Sequence, residues 1–160
     1  MKIDISIASQ RLDVLADDGT LVATYPVSTA LAGAGEDSGS FRTPRGCHLI
    51  RAKIGDGCPL NTVFVRRRPT GEIWTPEFAA AHPGRDWVLT RILWLSGCEP
   101  GKNRLGQCDS MRRYIYIHGT PDTAPIGQPA SHGCIRMRNL DIVELFDRVP
   151  VYTAVEIFAD

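Results

Sequence analysis

Hydrophobic and polar residues alternate with a period of two along much of this chain. The opening segment shows the pattern, because Ile3, Ile5 and Ile7 are separated by the polar residues Asp4 and Ser6. Such alternation is typical of strands that bury one face. The predicted strands, which include apolar runs rich in β-branched residues, are Lys2 to Ala8, Arg11 to Ala16, Leu21 to Ser28, His48 to Ile54, Val63 to Arg67, Val88 to Leu95, Tyr114 to His118 and Thr153 to Phe158.

Helical signals are confined to two short segments. Thr75-Pro76 is typical of an N-cap followed by proline at the first helical position, which predicts a helix over Phe78 to Ala81. Asn139 is predicted to cap a second helix over Leu140 to Arg148, and Pro150 ends it.

Length and composition fit one ordinary globular domain. A chain of 160 residues can bury roughly two-thirds of its unfolded surface, and no linker-like segment interrupts it, so one domain is expected over residues 1–160. Hydrophobic residues make up 43% and charged residues 22%, and the formal net charge is zero, which gives no electrostatic footprint for nucleic acid. Together with the strand pattern, this predicts a mostly β fold, a single-domain β-sandwich with a few short helices.

No segment reaches the roughly 18 consecutive apolar residues that a membrane span needs. Residues Met1 to Ile7 enter the first strand without a charged and then apolar leader. If Met1 is the native start, a cytoplasmic protein is expected; a leader missing from this chain would instead imply the periplasm or cell wall. Five cysteines without a framework spacing fit a reducing compartment, although Cys98 and Cys108 could close a loop in an exported protein.

The candidate chemistry lies in Ser131-His132-Gly133-Cys134-Ile135-Arg136-Met137, with Ile117-His118-Gly119-Thr120 upstream. A thiol with an ordinary pKa of about 8.5 is a weak nucleophile at neutral pH and needs a base. An imidazole can take the thiol proton and return it to a leaving amine, so His118 and His132 are the candidate bases. His118 is preferred because it ends a predicted strand, where Gly119 follows.

Strand alternation also predicts which of these side chains share a face. In Tyr114 to His118, the two isoleucines would face the core, so Tyr114, Tyr116 and His118 would lie on the opposite face of a half-buried strand. If Ser131 to Arg136 is also extended, His132, Cys134 and Arg136 share one face, and both neighbours of the thiol would favour the thiolate. The amides of Gly133 and Cys134 could then point at a developing oxyanion.

Two other interpretations of the same residues remain open. His118 and His132 could be buried structural residues, with Cys134 an inert small hydrophobe. Alternatively, His118, His132 and Cys134 could hold a catalytic metal, since zinc is often bound by three ligands with an open position. No Cys-x-x-Cys or His-Glu-x-x-His spacing supports a metal site, so neither a metal nor another cofactor is expected.

The spacing of His118 and the sequence Ser131-His132-Gly133-Cys134 resembles the signature of the L,D-transpeptidase (YkuD-type) family. Thr43-Pro44-Arg45-Gly46-Cys47-His48 resembles that family's Thr-Pro-x-Gly segment, and Ile3 to Pro26 resembles its first hairpin. The resemblance therefore covers nearly the whole chain. It implies the family's β-rich fold and its chemistry, a thioester formed on the signature cysteine.

The resemblance also implies roles for individual residues. Cys134 would be the nucleophile, His118 the base, and the backbone carbonyl of Gly119 would orient the ring. His132 would line the site, and amides around Gly133 and Cys134 would donate to the oxyanion.

Substrate contacts are expected from Arg136, Ser131 and Tyr116. The basic run Arg66-Arg67-Arg68 fits a solvated face or, alternatively, a site for a substrate carboxylate. The tryptophans are expected to supply buried area rather than a substrate platform.

The family reaction cleaves the bond between the diamino acid and D-alanine of a peptidoglycan tetrapeptide stem. Water as acceptor makes the enzyme an L,D-carboxypeptidase, and an amine from another stem gives a cross-link. With a cytoplasmic location expected, hydrolysis in muropeptide recycling is the predicted function; the alternatives are an exported L,D-transpeptidase and a non-catalytic stem-binding module. Carbapenem-type inhibitors are expected to acylate the thiol. Arg136 and Arg66-Arg67-Arg68 are the candidates for binding the extra carboxylate of a diaminopimelate stem.

Overall fold

The computed structural model describes all 160 residues, Met1 to Asp160. Ten strands and two helices follow one another along the chain: β1 Lys2–Ser6, β2 Arg11–Leu15, β3 Leu21–Pro26, β4 Gly46–Ile54, β5 Thr62–Val65, β6 Arg68–Ile73, α1 Pro76–Ala81, β7 Val88–Gly97, β8 Tyr116–Thr120, β9 Ile135–Arg138, α2 Asn139–Arg148 and β10 Ala154–Phe158.

All ten strands belong to one hydrogen-bonded sheet. Its main path runs β3-β2-β1-β10-β4-β7-β5-β6, while β8 pairs with β7 and β9 pairs with β8. Most neighbours are antiparallel; β1 with β10 and β8 with β9 are parallel. The sheet curls around one core, and the mostly β fold class with few helices is confirmed.

The core joins both halves of the curled sheet. Ile3 and Leu12 from the first hairpin belong to the same buried cluster as Ile117 of β8 and Ile135 of β9. Helix α2 packs on β7, β8 and β9 and contributes apolar side chains such as Leu145 to this cluster. The two parallel strands β8 and β9 are thus anchored in the core by both the first hairpin and α2. Neither helix is long and apolar enough to cross a bilayer.

Two strands were not among the predicted segments. Strand β6 is mostly exposed and contains Pro69 and Gly71, residues that a sheet tolerates at its edge but that obscure the strand pattern. Strand β9 is only four residues long. The predicted strand Val63 to Arg67 ends at Val65, because the next two residues form the turn of the β5–β6 hairpin.

The helix predictions had different outcomes. The Thr75 cap is confirmed, since its hydroxyl accepts the amide hydrogen of Phe78 at 3.0 Å. The Asn139 cap is wrong: Arg138 occupies the cap position without a side-chain bond, and Asn139 is the first helical residue. The Asn139 side chain is buried and bonds to Thr90 and Asn61 instead.

The half-buried strand predicted for Tyr114 to His118 is also shifted. Strand β8 begins at Tyr116, and Tyr114 lies outside it with a left-handed backbone (φ 58°). Because β8 has a strand on each side and α2 packed on it, Tyr116 and His118 are buried rather than exposed on a polar face.

All five cysteines are free thiols. The Cys98 thiol lies against Cys47, and burial together with the hydrogen bond to Cys47 raises the Cys98 pKa to about 11. The Cys108 thiol instead donates to the Leu105 carbonyl at 3.3 Å.

Candidate active site

The parallel pairing of β8 with β9 brings the predicted nucleophile and base to one face of the sheet. His118 pairs with Arg136. Two residues before each of them, the Tyr116 amide donates to the sulfur of Cys134 at 3.3 Å. Because side chains alternate along a strand, Tyr116, His118 and Arg136 share a face, and Cys134 precedes Arg136 by two positions. The thiol and the imidazole are therefore diagonal neighbours.

His118 is held in the tautomer that a base requires. Its Nδ1 lies 2.6 Å from the Gly119 carbonyl oxygen. A carbonyl only accepts hydrogen bonds, so Nδ1 carries the proton and Nε2 keeps a free lone pair. The ring is only 1% exposed, and this burial lowers its pKa, so it is neutral and able to accept a proton.

Gly119 is required by the packing behind this ring. A Cβ there would lie 2.6 Å from the Leu89 carbonyl oxygen and 2.5 Å from Asn139 Oδ1. Opposite it, the β7–β8 register shifts between Leu89 and Ile92, and Thr90 within this bulge has a φ of 76°. Such a backbone is rare for a β-branched residue, and bulges often re-aim side chains beside active sites. The Thr90 hydroxyl also donates to Asn139 Oδ1, and this buried hydrogen bond holds the Asn139 side chain against Gly119.

The Cys134 thiol is neutral in the resting site. It donates to the Tyr114 carbonyl and accepts the Tyr116 amide hydrogen, both at 3.3 Å. Burial raises its pKa to about 12, more than the Tyr116 amide and the positive charge of Arg136 lower it. Arg136 does favour the thiolate as expected, but burial outweighs this effect, and Asp86, which lies 2.9 Å from Arg136, opposes it.

Ser131 shapes the turn before the nucleophile rather than contacting substrate. It is buried; its hydroxyl accepts the Gly133 amide hydrogen at 3.1 Å and donates to the Cys134 carbonyl. The Gly133 amide is therefore occupied, which corrects its predicted part in an oxyanion hole. The Cys134 amide has no acceptor within the protein and remains available. Gly133 has a φ of 131°, which its lack of a side chain permits.

Thr43 controls where the Cys134 amide points. Its hydroxyl donates to the Gly133 carbonyl at 2.9 Å and accepts the Ala30 amide hydrogen at 3.0 Å. In a trans peptide the C=O and the following N–H point in opposite directions. Fixing the Gly133 carbonyl therefore fixes the direction of the Cys134 N–H. The Thr-Pro-x-Gly resemblance located Thr43 but assigned it no role.

His132 lies on the rim of the site. Its side chain is 66% exposed, and its Nδ1 lies 3.5 Å from Asp86, the carboxylate that also binds Arg136. His118, not His132, therefore has the buried, oriented ring that a base needs. Asp86 was missed in the sequence because it lies in the loop between α1 and β7, far from the cysteine motif.

Two clefts flank the nucleophile along the face of β8. One, of about 580 Å³, lies at Tyr116 and is lined by Arg66, Arg67, Tyr114 and Tyr116. The other, of about 280 Å³, lies beyond His118, and its lining includes Trp74, Asp86, Trp87, Thr120 and Arg136. We call them the Arg67 cleft and the Asp86 cleft.

The alternative metal site lacks geometric support, since no three His, Cys, Asp or Glu side chains come together in a way that could hold an ion. His118, His132 and Cys134 thus do not form a ligand set.

Comparison with known proteins identifies the family of this chain. The sequence model described as YkuD, L,D-transpeptidase catalytic domain, matches residues 1–157. The chain belongs to this L,D-transpeptidase family. "Probable L,D-transpeptidase ErfK/SrfK" of Escherichia coli K12 is 56% identical to this chain in the aligned region. That region covers 97% of this chain and 43% of the relative's length. "Probable L,D-transpeptidase YbiS" of the same strain is 35% identical over 65% of the chain and 34% of its own length.

A solved structure shows the same fold at low sequence identity. It is described as LD transpeptidase LdtMt1 in complex with imipenem and has a TM-score of 0.55, with 18% identity over 98% of this chain and 57% of that chain. The L,D-transpeptidase domain described here spans between a third and a half of the length of the two curated relatives.

Proposed function

We propose that this L,D-transpeptidase domain transfers an acyl group through a thioester on Cys134. The orientation of His118 by the Gly119 carbonyl carries this proposal, because it leaves Nε2 free to take the thiol proton. The sulfur then attacks the carbonyl between the diamino acid and D-alanine of a tetrapeptide stem. The C–N bond breaks, His118 returns the proton to the departing D-alanine amine, and the thioester remains.

The neutral thiol of Cys134 and the neutral imidazole of His118 fit a mechanism in which the proton moves only when the sulfur attacks. The thiol donates to the Tyr114 carbonyl before substrate arrives, and burial holds its pKa at about 12. Ionisation is therefore coupled to attack, when the proton moves to His118. The Cys134 amide, directed by Thr43, donates to the oxygen that becomes negative in the tetrahedral intermediate.

We propose water as the acceptor, which makes the enzyme an L,D-carboxypeptidase. Water adds to the thioester carbonyl, the C–S bond breaks, and the thiol regains its proton through His118. The exposure of the His132 side chain supports this proposal, because it places solvent at the rim of the site and water as acceptor needs no second binding cleft. A cytoplasmic role in muropeptide recycling goes with this acceptor, since soluble muropeptides there meet water rather than a neighbouring stem in a wall.

Transpeptidation is the second candidate. The Asp86 cleft lies on the far side of His118 from the Arg67 cleft, which provides room for an acceptor stem. The curated relatives also carry transpeptidase names.

Product analysis separates these functions. Purified protein is incubated with a defined tetrapeptide, with and without a second stem, and products are identified by mass spectrometry. Tripeptide and free D-alanine alone support hydrolysis, whereas a stem dimer supports transpeptidation. Cys134→Ala should remain folded and form neither product. Binding of the stem without turnover, and without a covalent adduct from stem or imipenem, would instead indicate a binding module. Fractionation of the source cells tests the cytoplasmic location.

A further inference from the structure

Arg67 occupies a turn that arginine does not favour. Val65 pairs with Arg68, which leaves Arg66 and Arg67 as a two-residue hairpin turn. Both have a left-handed backbone, with φ of 49° and 65°. Turns of this type favour Asn-Gly, because side chains with a Cβ are strained there. The conformational preference of this turn therefore does not explain why two arginines occupy it.

The Arg67 guanidinium is held in place but not neutralised. Its Nη1 donates to the Tyr116 hydroxyl at 3.1 Å, and its central carbon lies 4.6 Å from the Tyr114 ring centroid and 4.9 Å from that of Trp94. The structure's ion pairs involve other groups, and none includes Arg67. The remaining guanidinium N–H groups donate to no atom of the protein. This leaves a rigid, unpaired cation with free donors.

Tyr116 links this cation to the nucleophile. Its amide donates to the Cys134 sulfur, and its hydroxyl accepts from Arg67. A single residue therefore contacts the thiol through its backbone and the guanidinium through its side chain. The Arg67 cleft of about 580 Å³ lies along it, a volume in the usual range for ligand pockets.

Arg113 and Arg136, the other cations near the thiol, are not equally available. The Arg113 guanidinium already donates to the backbone carbonyls of Glu36 and Arg42. Arg136 is paired with Asp86 at 2.9 Å on the opposite side of the site. A second substrate carboxylate at Arg136 would have to displace that ion pair, whereas one at Arg67 would not.

We propose that Arg67 binds a second carboxylate on the diamino acid that acylates Cys134. The inference rests on the proposed function and names its substrate class: stems with a diaminopimelate-type residue rather than lysine, which has an amine but no carboxylate at that position. A planar guanidinium stacked on two rings can donate two parallel hydrogen bonds to a carboxylate. The exposed Arg66 adds positive charge to the same cleft.

Two synthetic tetrapeptides that differ only in this carboxylate test the proposal. The wild-type protein should show a higher kcat/KM for the diaminopimelate stem, and Arg67→Gln should reduce the ratio of the two kcat/KM values about tenfold, mainly through KM. Arg67→Lys should give an intermediate ratio, because it keeps the charge without the planar fork. Arg68→Gln is the matched control in the same hairpin and should leave the ratio unchanged.

A second variant separates recognition from folding. Arg66→Asn with Arg67→Gly installs the favoured turn, so the melting temperature should be retained or raised while the preference for the diaminopimelate stem is lost. The proposal is overturned if the wild type shows no preference or if Arg67→Gln keeps it. Thioester formed with both stems in that case leaves the proposed function standing; thioester formed with neither overturns the proposed function itself.

Discussion

Replacing Thr43 by valine tests how the site aims its oxyanion donor. The substitution keeps the size of the side chain and removes only the hydroxyl. Thr43 is fully buried, and its hydroxyl serves both the Ala30 amide and the Gly133 carbonyl. Valine leaves both backbone groups unpaired. At about 1–3 kcal/mol for each unsatisfied buried group, we expect the free energy of unfolding to fall by about 2–6 kcal/mol.

The same change should reduce catalysis separately from stability. Without the Thr43 hydroxyl, the peptide between Gly133 and Cys134 can rotate, and the Cys134 amide loses its direction. Removing an oxyanion donor outright costs about 10²- to 10³-fold in kcat. A donor that is present but poorly aimed should therefore cost about 10- to 100-fold, with little change in KM.

Urea unfolding and the rate of thioester formation measure the two effects. Thr43→Ser keeps the hydroxyl and should retain most of both. Thr153→Val is the stability control, because it also removes a hydroxyl, bonded to the Pro150 carbonyl at 2.8 Å, away from the nucleophile. The reasoning fails if Thr43→Val is folded, destabilised as expected, and unchanged in kcat.

Three further predictions follow from the buried groups. Alkylation of Cys134 by iodoacetamide should rise about tenfold per pH unit from pH 7 to 10, because burial raises the thiol pKa to about 12; a plateau near pH 8.5, read from the modified peptide, would contradict this. Gly119→Ala should cost about 1–3 kcal/mol through the clash with the Leu89 carbonyl and should slow acylation by displacing His118; an unchanged acylation rate would refute that role. Burial lowers the pKa of His48 in the folded protein to about 4. As the pH drops, the unfolded chain protonates this histidine at a higher pH than the folded protein does. The free energy of unfolding should therefore fall between about pH 6.5 and pH 4, by about 3 kcal/mol in all. His48→Gln should flatten urea-unfolding stability over that range, and an equal slope would contradict the assignment.

The sequence located most strands and the reacting pair because both are local patterns. Alternation marks a strand wherever one face is buried, as in the first hairpin. The order of His118 and Cys134 carried the family resemblance, which the family match confirms. Strand β6 escaped detection because an exposed edge imposes no such pattern.

The ionisation of the site depends on residues that are distant in sequence. Asp86, which neutralises Arg136, is 50 positions away from it, and no local motif marks that pairing. Burial of the thiol likewise depends on how the sheet curls. Thr90 illustrates the same limit, since nothing about a threonine within a strand indicates a positive φ.

Ser131 shows that a correctly identified motif does not specify the bonds that each of its residues makes. Its position suggested substrate contact, but its hydroxyl is used twice by the turn that presents Cys134. A serine's bonding partners are set by a few ångströms of local geometry, which sequence spacing does not specify.

The parallel pairing of β1 with β10 constrains how the chain folds. Lys2 through Ser6 align with Ala154 through Phe158, so β1 acquires this neighbour only after nearly all of the residues of this domain have been synthesised. Contacts of such long sequence separation slow folding. Until then β1 has β2 alone for a partner, and its other edge is open to pairing with a second nascent chain.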